Sequence, residues 1–196
     1  MEEWFSDKRI ALVGNAMSLF DKGFGPEIDD HEVVVRLNKA AMLYTNFDAI
    51  HSHGSRTTHW IFFNTAEYKA KFPDIDKSIK TFHISKHRQT PLHRKMVDFM
   101  MPMDKWTAVT ESLGHKNPTT GFMSLHYITR CNPAQLDVYG FDWKDTPTFT
   151  DPERLKDPQC GHDFEKEREA CFRLFFSKPN VTWRTWPRFI NRDTLN

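Results

Sequence analysis

The sequence lacks the features that mark several common classes of protein. Its three cysteines, Cys131, Cys160 and Cys171, are an odd number without C-x-x-C spacing. That argues against both a disulfide framework and a cysteine zinc site, and they read as buried or free thiols. No apolar run approaches the roughly 20 residues of a membrane span, and the opening "MEEWFSDKR" is acidic and aromatic, unlike a secretory signal. Charge of one sign is missing too. The formal net charge is +1, which gives no basic field for tracking nucleic-acid phosphates and leaves small anions as candidate ligands.

Glycine is scarce exactly where a dinucleotide fold would need it. In "RIALVGNAMSLFDKGFGPEIDDHEVVVRLNKA" a short apolar run reaches Gly14, but Asn15, Ala16, Met17 and Ser18 follow in place of G-x-G-x-x-G. The glycines that clear space for pyrophosphate are absent. An asparagine after the first strand instead offers a donor and an acceptor, suited to a base edge, a ribose hydroxyl or a phosphate oxygen. Closing a turn is the alternative role, for Asn15 and for Asn38 alike.

What the chain does have is aromatic residues, 14% of 196 residues, 17 of them Phe, which argues for a packed fold. The segments "RIALVG", "HEVVVRLN", "FDAIHSHG", "HWIFFNT", "QLDVYGF" and "NVTWRTW" read as strands. Helices are expected for "AEYKAKF", "PLHRKMVDFMMPMDKW", "TTGFMSLHYITRC" and "HDFEKEREACFRLFF", with "KDTPTFTDPERLKDPQCG" as a loop or lid. This alternation predicts one α/β domain over residues 1–196. Ligands of such sheets sit beyond the carboxyl ends of the strands. The residues there are Asn15, Asn38 and the stretch from Phe141 through Trp143 to Lys144, with Thr119, Thr120 and Gly121 offering the free N–H groups of a helix start.

These segments resemble, in order, the motifs of the animal-type sialyltransferases. "VGNAMSL" with "GFGPEIDDHEVVVRLNKA" is similar to their large motif, and "NPTTGFMSLHYITRC" with "LDVYGF" to their small motif. "HDFEKE" matches their very small H-x-x-x-x-E motif through His162 and Glu167. The resemblance implies a GT-A-like sialyltransferase variant, a central mostly parallel Rossmann-like sheet flanked by helices, that moves an acidic sugar, sialic acid or a Kdo-like sugar, from a CMP-sugar donor to a glycan hydroxyl with inversion. It implies no metal and no cofactor besides the donor substrate, and no nucleic-acid partner. On the same basis Gly14, Asn15, Asn38, Thr119, Thr120, Gly121, Phe141 and Trp143 would hold CMP. His162 would act as general base, Glu167 would support its helix start, and Arg56 is a weaker candidate for the sugar carboxylate.

Imidazole suits proton removal near neutral pH, although a lone histidine among ten is more often a cap or a surface residue. His51, His53 and His59 have no nameable metal spacing and read as packing residues. Two departures from the family stand out. Residues 141–161 contain neither histidine nor tyrosine, where the family's third motif assists the departing phosphate, and Trp143, Lys144 or the N–H groups of Thr120 and Gly121 are the possible substitutes. Ile10 occupies the place of the cysteine that the family pairs with Cys131, which favours a cytoplasmic, microbial or viral setting over a trimmed Golgi lumenal one. A transferase for another nucleotide sugar and a nucleotide-binding protein without catalysis are the competing readings.

Overall fold

In the computed structural model, residues 2–42, 47–63, 76–84, 91–148 and 161–185 are described. Seven strands form one sheet in the order β5-β4-β3-β2-β1-β6-β7: β1 Arg9–Val13, β2 Val33–Leu37, β3 His59–Phe62, β4 Lys80–His83, β5 Phe99–Met100, β6 Gln135–Tyr139 and β7 Val181–Trp183. Every described pair is parallel. The reason lies in β1 and β2, whose residues Ile10, Ala11, Leu12 and Val13 and then Val33, Val34 and Val35 are all buried. Such strands must be covered on both faces, which only helical crossovers supply. Ile10, Leu12, Val35 and Val138 join the core shared with Phe122, Leu125, Ile128 and Phe175, while Ala11, Val13, Val34 and Tyr139 meet Leu19 and Ile28 on the other face.

The helices are α1 Gly25–Asp29, α2 Phe47–His53, α3 Pro91–Lys95, α4 Met103–Leu113, α5 Thr120–Arg130 and α6 Phe164–Cys171. The last continues as one π-helical stretch, Phe172–Phe176. Two expectations are overturned. Residues 47–54, read as a strand from their alternation, form α2, because the buried Ala49, Ser52 and His53 follow helical i, i+3, i+4 spacing and Gly54 ends the turn at φ +73°. Residues 91–106, read as one helix, are instead helix, strand and the start of a second helix. Phe99 stacks on Phe82 at 4.8 Å as β5 adds to the sheet edge, and Pro102, which has no N–H, caps α4. The helix expected at "AEYKAKF" lies outside the described residues, as does most of the loop at 144–161.

The chain runs from β1 outward through β2 to β5, then returns to the other side of β1 as β6 and β7. The sheet order therefore reverses at β1, and the carboxyl ends of β1, β2 and β6 meet at the place where doubly wound sheets bind ligands.

Candidate donor and catalytic site

The β1–β2 register pairs Val13 with Arg36, so Asn15 and Asn38 each stand two residues beyond a matched pair on neighbouring strands. Both side chains keep Oδ1 buried with no hydrogen-bond partner among the described residues. A buried amide oxygen without a donor costs about 1–3 kcal/mol. Two of them at one sheet edge make that edge a candidate place for a ligand that supplies donors. Asn38 also holds a left-handed φ of +51°, a conformation costly for most residues, and the Trp60 indole Nε1 donates to its carbonyl at 2.7 Å.

Gly14 answers to packing. A Cβ there would lie 2.3 Å from the Gly140 carbonyl oxygen and 2.9 Å from the Phe141 ring. The Gly14 N–H donates to Tyr139 O at 2.8 Å and the Ala16 N–H to Gly140 O at 3.3 Å, pinching the ends of β1 and β6 together. The Phe141 ring also reaches Gly121, where a Cβ would come within 3.0 Å of it. Phe141 thus joins the first loop to the start of α5.

That helix start is built for an anion. Thr119 caps α5, its Oγ1 accepting from the Phe122 N–H at 3.1 Å. The N–H groups of Thr120 and Gly121 have no hydrogen-bond acceptor among the described residues, so two donors and the positive end of the helix dipole face outward beside Phe141.

Glu167 locks this helix start to the next motif. It is 2% exposed, and it accepts from the Thr119 N–H at 2.5 Å and from Thr119 Oγ1 at 2.6 Å. The sequence assigns Glu167 to the start of the helix that follows His162; the structure shows it holding the cap of α5. Burial pushes its carboxyl up to about 7 against the pull of the two Thr119 bonds. A carboxyl raised on folding binds its proton more tightly in the native state, so its stabilisation is fully present below the unfolded value of about 4.5 and is lost as pH rises to about 7. The expected size is on the order of 3 kcal/mol. Glu167→Gln keeps the shape, and its unfolding free energy is expected to lack this decline between pH 4.5 and 7 when compared with the wild type by denaturant titration. Parallel pH profiles for the two proteins would refute the assignment.

His162 stands just before α6, half-buried, with Nδ1 2.8 Å from the Asn117 carbonyl. A carbonyl can only accept, so Nδ1 carries the proton, and in the neutral ring Nε2 keeps a free lone pair. Asn117, which the sequence reading quoted but did not assign, also donates from Nδ2 to Gly161 O at 3.2 Å. The turn before α5 therefore orients the candidate base directly. The Asn-Pro pair at 117–118 was the available signal.

Two candidates lie elsewhere. Arg56 donates to the carbonyls of Asp29, His31 and Glu32. Glu32 precedes β2, which puts this guanidinium at the amino end of the sheet, away from the asparagines; a carboxylate-binding role is replaced by a structural one. Trp143 is 7% exposed and packs between Phe172 and Trp183, each 5.8 Å away, so its ring belongs to the core. Beside it the buried Asp142 accepts from the Lys144 and Thr146 N–H groups at 3.2 Å and from Thr146 Oγ1 at 2.5 Å, and burial raises its carboxyl. Thr146 Oγ1 in turn accepts from the Ser18 N–H at 3.1 Å, so this turn clamps the loop that carries Asn15.

The sequence holds one D-x-D spacing, Asp74 and Asp76, of the kind that binds a divalent cation in other sugar transferases. Asp76 is exposed ahead of β4, its carboxylate accepting from the Ser78 N–H at 2.9 Å, at the opposite end of the sheet from the asparagines; Asp74 lies outside the described residues. His53 and His59 are buried, and burial lowers each to about 4, in keeping with packing roles. Among the described residues no helix is long and apolar enough to cross a membrane.

Glycosyltransferase family 29 (sialyltransferase) matches residues 6–101. CMP-N-acetylneuraminate-beta-galactosamide-alpha-2,3-sialyltransferase 1 of Mus musculus is 30% identical over 156 residues, covering 68% of this chain and 44% of the relative. The Homo sapiens protein of the same name is 29% identical over 157 residues with the same coverage. The chain thus spans less than half the length of these relatives. In fold it is similar to a mammalian sialyltransferase crystallised with Gal-beta-1-3GalNAc-ortho-nitrophenol, with a TM-score of 0.63 at 20% identity over 93% of this chain and 71% of that one. It is also similar to a Campylobacter jejuni sialyltransferase in complex with cytidine-5′-monophosphate, with a TM-score of 0.55 at 11% identity over 91% of this chain and 80% of that one. With its motifs in family order on a sheet of the family's kind, the chain belongs to glycosyltransferase family 29, the sialyltransferases.

Proposed function

We propose that this chain transfers sialic acid, or a related acidic sugar such as Kdo, from its CMP-activated form to a glycan hydroxyl, with inversion and without a metal ion. The observation that carries the proposal is the pair of buried Oδ1 atoms on Asn15 and Asn38 that lack a partner among the described residues, with the Phe141 ring linking Gly14, next to Asn15, to the start of α5 at Gly121. Ribose hydroxyls or a base amine supply donors to the asparagines, and the phosphate accepts from Thr120 and Gly121. His162 Nε2 takes the proton of the acceptor hydroxyl as that oxygen bonds to the anomeric carbon. The bond from the anomeric carbon to the phosphate oxygen breaks, and its electron pair leaves on CMP. With no histidine or tyrosine in residues 141–161, the N–H groups of α5 are the donors placed to stabilise that departing charge.

Calorimetric titration with CMP tests the donor site. Asn15→Ala and Asn38→Ala are each expected to weaken CMP by about 1–3 kcal/mol, with EDTA changing nothing. Wild-type affinity in both variants would remove the assignment. The missing third-motif residues favour one competing reading, a CMP-binding protein without turnover, which binds CMP but releases none from any CMP-sugar.

A further inference from the structure

The donor-site reading leaves a question about Asn38: what holds it in place? Its φ of +51° lies in the left-handed region, at the step from β2 into the 3-10 turn Asn38–Met42. A residue held there in a ligand site needs surroundings that fix it. We infer that Trp60 is a positioning residue for donor binding, its indole N–H fixing the Asn38 peptide so that the amide side chain meets the nucleotide.

Three observations converge on this role. Trp60 lies on β3, in register with Arg36 of β2, two residues before Asn38. Its ring is 0% exposed and rests 4.4 Å from Phe62, so its direction is set by packing rather than by solvent. From there Nε1 donates at 2.7 Å to the Asn38 carbonyl. The hydrogen bond fixes the peptide plane after Asn38, which sets ψ and hence the exit direction of the side chain whose Oδ1 is buried without a partner. Phenylalanine could fill the same core position; only tryptophan also brings the donor.

The inference rests on the donor-site reading, and the test keeps the two separable. CMP affinity and thermal stability are measured for Trp60→Phe, for Asn38→Ala and for the double variant. Trp60→Phe is expected to raise the CMP Kd about five- to tenfold, the worth of one buried hydrogen bond. In the Asn38→Ala background the same change is expected to add less than about twofold, because there is no amide left to position. Trp60→benzothienylalanine, which keeps the two-ring shape and loses only the N–H, is expected to repeat the CMP loss and covers the case in which Trp60→Phe does not fold. Phe62→Leu, which loosens the same aromatic pair without touching the hydrogen bond, is expected to lower stability while leaving CMP affinity unchanged. Wild-type CMP affinity in the Trp60 variants, or an equal loss with and without Asn38, overturns the positioning role. Unchanged affinity in Asn38→Ala alone likewise overturns the positioning role, whereas the donor-site reading falls only if Asn15→Ala also binds CMP as the wild type does.

Discussion

His162→Ala is expected to lower turnover by about a hundredfold or more while CMP affinity changes little. The asymmetry follows from the geometry. The nucleotide candidates are Asn15, Asn38 and the start of α5, whereas His162 is held by Asn117 through Nδ1 and offers only Nε2 to a substrate. Removing the ring takes away a proton acceptor and leaves the donor cradle in place. Single-turnover sugar transfer, run beside CMP titrations, measures both quantities. A folded His162→Ala protein that transfers sugar at the wild-type rate would transfer the role to another group.

Gly14→Ala is expected to cost about 3 kcal/mol of stability, a large effect for one methyl group. Its Cβ would sit 2.3 Å from a backbone oxygen and 2.9 Å from the Phe141 ring, and neither is the far end of a flexible side chain. Gly140 cannot retreat: its N–H donates to Thr185 Oγ1 at 2.7 Å, and its own φ is +65°. Relief therefore has to come from parting the ends of β1 and β6, which also moves Asn15. Denaturant melts and CMP titrations are expected to show both losses. A variant as stable as the wild type would mean that β1 and β6 are not pinched at this point.

How far the sequence reveals this arrangement depends on the residue. Strands of continuous Val, Leu and Ile are legible because parallel strands need apolar residues on both faces, and the ends of β1, β2 and β6 follow from them. Asn15 and Asn38, at the ends of β1 and β2, and the Thr119 cap are legible in the sequence for the same reason. Arg56 misleads because its motif context says nothing of which end of the sheet it occupies; three backbone carbonyls at the amino end decide that. Trp143 misleads in the opposite sense, since a strand-end position says nothing about whether a large ring turns inward to Phe172 and Trp183. The Glu167 clasp joins residues 48 positions apart, and the Trp60 bond depends on a register between β2 and β3 that no local pattern encodes. Segment 47–54 shows the same limit, for its alternation satisfies a strand while its burial follows a helix.

The central claim is transfer from a CMP-sugar, and release of CMP tests it most directly. The protein is incubated with CMP-sialic acid and, separately, with CMP-Kdo, in the presence of galactoside-terminated glycans and with EDTA throughout. Liberated CMP and sugar-extended product are then quantified together. CMP and product are expected in equal amounts from at least one donor, with both falling about a hundredfold or more in His162→Ala. CMP that binds but is never released from either donor, or product formed only after a divalent ion is restored, would contradict the claim.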